Sequence, residues 1–155
     1  MSAIASWSII SNGDLEKLRA AIRADSKAFT GILDSPTILT EVFTEASGYI
    51  YNPVLSYLDA AGCPVLEAET NPDALNFSRA LGTSFLLFDQ SLAKRCTVAQ
   101  IMVEPSREAL KAEIESFSPG DADATVLQYA LESIKFLALG LARVDSDHCL
   151  LLHIG

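Results

Sequence analysis

A chain of 155 residues with 20 acidic side chains against 11 basic ones has a formal net charge of −9 and repels phosphate backbones and anionic bilayers, which argues against nucleic acid or a membrane surface as its partner. Half of the residues are apolar and 20% are charged, which supplies one hydrophobic core and gives no compositional basis for disorder. Cys63, Cys96 and Cys149 form no Cys-x-x-Cys pair, so neither a local zinc knuckle nor a thioredoxin-type motif is present.

At the N-terminus, Met1 to Ser11 lacks a basic stretch followed by a long apolar core, the pattern of a signal peptide. The longest apolar runs fall short of the roughly 18 to 20 residues that span a bilayer. Reduced cysteines and a cytoplasmic address are the expectation. From Ala3 to Ile10, Ala5, Trp7 and Ile9 alternate with Ser6 and Ser8, the period of a strand with Trp7 on its buried face. Asn12-Gly13-Asp14 breaks that strand and can cap a helix, in which Leu15, Leu18 and Ile22 share one face while Glu16, Lys17, Arg19 and Arg23 take the wet side.

Three further helices are predicted from a polar residue followed by proline: Ser35-Pro36, Asn52-Pro53 and Asn71-Pro72. Ile38, Leu39, Val42, Phe43 and Ala46 would form the apolar stripe of the first, and Val54, Leu55 and Leu58 that of the second. Leu75 and Leu81, with Phe77 less clearly placed, would serve the third. A glycine able to take the left-handed conformation follows each: Gly48, Gly62 and Gly82. Their spacing is irregular and no second signature residue recurs, so they are three punctuated helices rather than a repeat.

Phe85-Leu86-Leu87-Phe88 and Val98 to Val103 are short apolar runs that periodicity leaves open between strand and helix. From Pro105 to Phe117 a helix is predicted, with Leu110, Ile114 and Phe117 inside and Arg107, Glu108, Lys111, Glu113 and Glu115 outside. After the turn Ser118-Pro119-Gly120, Asp121 and Asp123 favour a helix start. Val126, Leu127, Ala130, Leu131, Ile134, Leu137, Ala138 and Leu141 then recur at helical spacing, with Phe136 and Leu139 widening the apolar surface to a second side. Asp145-Ser146-Asp147 ends that helix, and Cys149 to Ile154 reads as a final strand that must pair inside a sheet. The predicted fold is α+β: a mostly helical single domain over residues 1–155, with a small sheet formed partly by the N- and C-terminal strands.

No catalytic signature stands out: the chain contains no GxGxxG, Walker A, GxSxG or HExxH motif. His148 and His153, five residues apart, point to opposite faces of a strand and cannot jointly hold a metal, so neither a metal nor a cofactor is expected. Cys149 follows His148 directly, whereas a nucleophile and its base must meet side by side. Cys63, between Gly62 and Pro64, lies in a turn and is either an accessible thiol or a small apolar filler. Tyr49, Tyr51 and Tyr57 cluster around Asn52-Pro53, either as an exposed contact patch or as core tyrosines at a helix entry.

The N-terminal strand holding Trp7, the helix containing Leu15-Glu16-Lys17-Leu18, and the long last helix running into Cys149-Leu150-Leu151-Leu152-His153-Ile154-Gly155 resemble the layout of the YfbM-like family of uncharacterised bacterial proteins. The likeness covers the two ends, about a third of the chain; that family's central Trp-containing helix has no counterpart, because Trp7 is the sole tryptophan. In composition the chain is similar to the immunity proteins that neutralise bacterial toxins. That similarity implies an acidic binding protein that sequesters a basic protein partner, such as a toxin domain, by covering its cationic active site. The residues expected to meet the partner are Tyr49, Tyr51, Glu67, Glu69, Asp73, Glu104 and Glu108. An enzyme whose site is assembled from distant residues, with Cys63 or His148 in it, and a self-associating scaffold are the alternatives.

Overall fold

The alternation around Trp7 does produce a strand. In the computed structural model, which describes residues 4–34, 39–41, 48–96, 101 and 106–155, β1 (Ala5–Ser11) leads directly into α1 (Asn12–Ala24). The cap of α1 is Ser11 rather than Asn12, its side chain accepting from the Asp14 N–H. Asp25 closes α1 and caps α2 (Ser26–Leu33), a helix without a proline or a glycine stop to announce it.

Leu39 to Glu41 departs from expectation. These residues form a short strand, β2 (Leu39–Glu41), where the sequence predicts a helix led by Ser35-Pro36; the rest of that predicted helix lies outside the described residues. A 3₁₀ turn, Gly48–Ile50, then feeds α3 (Tyr51–Ala60), so Gly48 opens a turn and Asn52 sits inside the helix instead of capping it. A second 3₁₀ segment, Val65–Thr70, leads to α4 (Pro72–Leu81), capped as predicted by the Asn71 side chain and closed by Gly82 in the left-handed region. Phe85-Leu86-Leu87-Phe88 proves to be strand, β3 (Ser84–Phe88). It is followed by α5 (Gln90–Arg95), α6 (Arg107–Phe117), α7 (Ala124–Leu141) and β4 (His148–Ile154). Of the ambiguous run Val98 to Val103, only Ile101 is described, and it is helical and buried.

The four strands form one antiparallel sheet in the order β2-β1-β4-β3, with both chain ends in its two central strands. The molecule is therefore α+β, as the sequence implies. Trp7, Ile9, Leu86, Phe88, Leu150 and Leu152 face one helical layer, where Val54, Leu55 and Leu58 of α3 and Ile134, Leu137 and Leu141 of α7 complete the core. Ile10, Phe85, Leu87, Cys149 and Leu151 face the other layer, built from α1, α2 and α4. Phe29, Phe77 and Phe85 pack edge to face there, at centroid distances of 4.8 to 5.9 Å. Phe77 rather than Leu75 is thus the buried anchor of α4, and Leu75 faces solvent.

Two details fix the first layer. The Trp7 indole Nε1–H donates to the Tyr51 hydroxyl at 2.8 Å, both rings being buried, and the Tyr51 hydroxyl also bonds Ser133 of α7. Gly140 brings α7 so close to the sheet that a Cβ there would stand 2.8 Å from Leu150 Cδ2. By length and composition α7 is the one helix among the described residues that qualifies as a membrane span, although only 39% of it is buried. Its inner stripe is nevertheless committed to the sheet. Leu139 is exposed, so the helix is not covered on two sides, and Phe117 at the end of α6 likewise turns outward.

Two glycines give opposite expectations. Gly140→Ala must displace the buried Leu150 and should destabilise the protein by about 1–3 kcal/mol, whereas Gly31→Ala meets nothing within 4 Å in α2 and should stabilise it by roughly 0.5–1 kcal/mol. Urea unfolding midpoints read both. Tyr51→Phe leaves the buried indole N–H without its acceptor and should cost roughly 1–3 kcal/mol in the same assay.

Candidate functional site

Of the seven residues that the sequence nominates for partner contact, the six that are described do not all lie at the surface. Tyr51 is only 1% exposed and holds Trp7, so its place is the core and it is withdrawn from the surface set. The cause is local: with Tyr51 as the first residue of α3, its ring falls inward while Tyr49, two residues earlier in the 3₁₀ turn, is 59% exposed. Glu104 lies outside the described residues. Glu69 and Glu108 are exposed.

Glu67 and Asp73 are carboxylates with partners inside the chain. Arg95 donates to both Glu67 oxygens, at 2.8 and 2.5 Å, tying α5 to the second 3₁₀ segment and holding the Glu67 carboxyl below its ordinary range. Arg19 grips Asp73 through Nε at 2.9 Å and Nη2 at 2.6 Å, joining α1 to α4, and also bonds Glu16. Around that fork lie two polar clefts, of 530 and 370 Å³, sharing Arg19, Asn71 and Asp73. Residue charge at this end of the sheet is largely neutralised in pairs.

The enzyme suspects separate as well. Cys63 is buried and its thiol is hydrogen-bonded to the buried Cys96, so it is not an accessible nucleophile. His148 is partly exposed and its Nδ1 lies 3.0 Å from Asp145, whose same oxygen accepts the Asp147 and His148 N–H groups in a tight turn. Cys149 turns its thiol to the Ile10 carbonyl at 3.6 Å, and burial pushes that thiol up to about 12. Among the described residues no group of three histidine, cysteine, aspartate or glutamate side chains gathers where a metal would sit.

A different place combines exposure with apolar surface. The entry of α3, the end of α6 and the start of α7 enclose a groove of 310 Å³, whose walls include Tyr49, Pro53, Ile114, Val126 and Tyr129. Tyr129 is 50% exposed, as is Phe117, next in the chain to the lining residue Ser118. Asp121 and Asp123 stand at the groove, and no lysine or arginine is among the described residues that line it. Asp123 is engaged in capping α7 through the Thr125 and Val126 N–H groups, whereas Asp121 is exposed. Phe117 and Tyr129 were missed in the sequence because both fall within helical stripes that read as core or as wet face. Their signal was indirect: the turn Ser118-Pro119-Gly120 forces α6 to end at Phe117, and Gly120 has a positive φ of 88°.

No family model matches this chain, and neither a curated protein nor a solved structure does.

One ionisable group lies apart from the groove. His153, on β4, stacks on Phe85 with centroids 4.3 Å apart and planes 9° from parallel, and its Nε2 lies 3.0 Å from Thr83 Oγ1. Burial holds its imidazole below the ordinary 6.5, with the Asp34 carboxylate opposing. The unfolded chain therefore takes up this proton first on acidification. Stability is complete above about pH 6.5 and is lost as pH falls from there through the folded value. The urea midpoint should drop between about pH 7.5 and about pH 5.5, and His153→Gln should flatten that drop; an unchanged slope would remove His153 as its source.

Proposed function

We propose that this chain is a small acidic binding protein that sequesters a basic protein partner in the cytoplasm, in its sharpest form an immunity protein that neutralises a toxin. The observation that carries this reading is the aromatic groove of Tyr49 and Tyr129 with Asp121 at its mouth and no cation among its described wall residues. Exposed tyrosines beside a concave apolar floor are the kind of anchor that dominates protein interfaces. A net charge of −9 repels a second copy of the same chain and attracts a cationic surface, which favours a basic partner over self-assembly. Three free cysteines fit a reducing compartment. The compositional similarity to immunity proteins points the same way.

Capture would proceed in two stages. The acidic field steers encounter, and the partner's apolar side chain then enters the groove, its flanking lysines or arginines meeting Asp121 and neighbouring carboxylates. The bound chain covers a cationic active site and blocks it by occlusion, with no covalent chemistry.

A partner recovered from the native host by pull-down allows the test, read as association and dissociation rates at several salt concentrations. Tyr129→Ala should raise the dissociation rate about tenfold or more. Asp121→Lys should lower the association rate and flatten its salt dependence, and Glu67→Lys with Glu69→Lys should do so less, since Glu67 is already paired with Arg95. A partner whose association ignores salt and whose dissociation ignores Tyr129 and Tyr49 would reject the groove as the capture surface.

A further inference from the structure

On the opposite side of the sheet from α7, the described residues leave a space at one end of the sheet. The face of β1 that carries Ile10 continues with Ser8 and Ser6, in register with Leu151 and His153 of β4. Two serines stand where a helix-covered sheet face ordinarily presents apolar side chains. Their small size leaves a cavity of 440 Å³ between this end of the sheet and the last turn of α2. That volume lies in the range of small-molecule sites.

The Thr30 hydroxyl is spent on the Ser26 and Lys27 carbonyls within α2, but other polar groups in the cavity are not. Ser8 is only 6% exposed, yet its hydroxyl has no hydrogen-bond partner among the described residues, and what remains accessible opens into the cavity. A mostly buried hydroxyl that only water in the cavity can reach is free to bond a ligand's donor or acceptor in place of that water. His153 is held in one orientation by its stack on Phe85 and its contact with Thr83, leaving Nδ1 for another partner. Asp34, at the end of α2, is exposed at the mouth, and among the described residues the lining contains no lysine or arginine to neutralise it. Ile4, Leu33 and Leu151 supply apolar walls.

We propose that this cavity binds a small amphiphilic amine, with its ammonium group on Asp34, its apolar body against Leu33 and Leu151, and a far hydroxyl bonded to Ser8. The sign of the charge follows from Asp34: an anion in the same place would face a carboxylate, and His153, the base in the described lining, is held toward its neutral form by burial. The hydroxyl requirement follows from Ser8, since a site built to bond a polar group rejects the analogue that lacks it. The site is separate from the aromatic groove and stands whether or not the groove captures a protein.

Three probes of one shape decide it: tyramine, phenethylamine, which lacks the hydroxyl, and 3-(4-hydroxyphenyl)propionate, which replaces the ammonium by a carboxylate. Binding to the full chain is read by calorimetric titration and by amide shifts at Ser8, Leu151 and His153. Tyramine should bind about tenfold more tightly than either analogue. Asp34→Asn should abolish the preference over the acid, and Ser8→Ala the preference over phenethylamine. Both variants are small and leave the core intact, and Asp34→Asn alone, on an exposed side chain, keeps the test decisive if Ser8→Ala perturbs folding. No shift at these residues with any probe, equal binding of the acid, or a preference that survives Asp34→Asn would overturn the proposal.

Discussion

A strand that is apolar on both faces cannot be left at a surface, and that constraint on β4 organises the molecule. Leu150 and Leu152 point to one side and Cys149 and Leu151 to the other, all four at most 4% exposed. Burying each leucine side chain is worth about 1.5–3 kcal/mol, so the strand contributes only if both faces are covered. Antiparallel partners on each side satisfy its backbone, and a helical layer on each face satisfies its side chains. The pairing continues beyond the strands, with Ile4 and Gly155 exchanging backbone hydrogen bonds at 2.8 and 3.1 Å. Because β4 is central and follows the other three strands in sequence, the sheet stays incomplete until it pairs.

The elements that sequence reading places well are those where one period dominates. Trp7 and Ile9 alternate with serines, the last long helix repeats at 3.6 residues, and an uninterrupted apolar run of strand length has only one safe place, inside a sheet. The failures have equally physical causes. Leu39 to Glu41 lies in a stretch whose apolar spacing fits a helix, yet edge pairing with β1 prevails over that local pattern. Short helices such as α2 and α5 contain too few turns for a stripe to show. Leu75 and Phe77 differ by two positions on α4, about 200° around its axis, so choosing the wrong one reverses the buried face.

The candidate surface was legible only in fragments. Tyr49 and Tyr51 sit two residues apart and have opposite fates, since a 3₁₀ turn gives way to an α-helix between them and sends one ring out and the other to Trp7. Apart from Ile50 and Pro53 beside Tyr49, the walls come from residues 114 to 129, distant in the chain, and no spacing in a single sequence announces such a juxtaposition. Counting carboxylates also misleads without geometry. Glu67 and Asp73 look as available as Glu69 and Glu108, but each is held by two bonds from an arginine.

Those pairs shape the field that any partner meets. Lys17 is bound to Asp14, Arg19 to Asp73 and Glu16, and Arg95 to Glu67. Exposed pairs of this kind contribute little to stability. Their larger effect is on charge distribution, because every base spent on a local acid cancels at short range and leaves the surplus of acids unopposed elsewhere. Asp121 stands at a groove with no base among its described lining residues, so the acidic field and the exposed aromatic rings coincide there. Screening by salt over about 10 Å weakens the field while leaving the rings untouched. Electrostatic approach and apolar retention are thus carried by different atoms at one place on the surface.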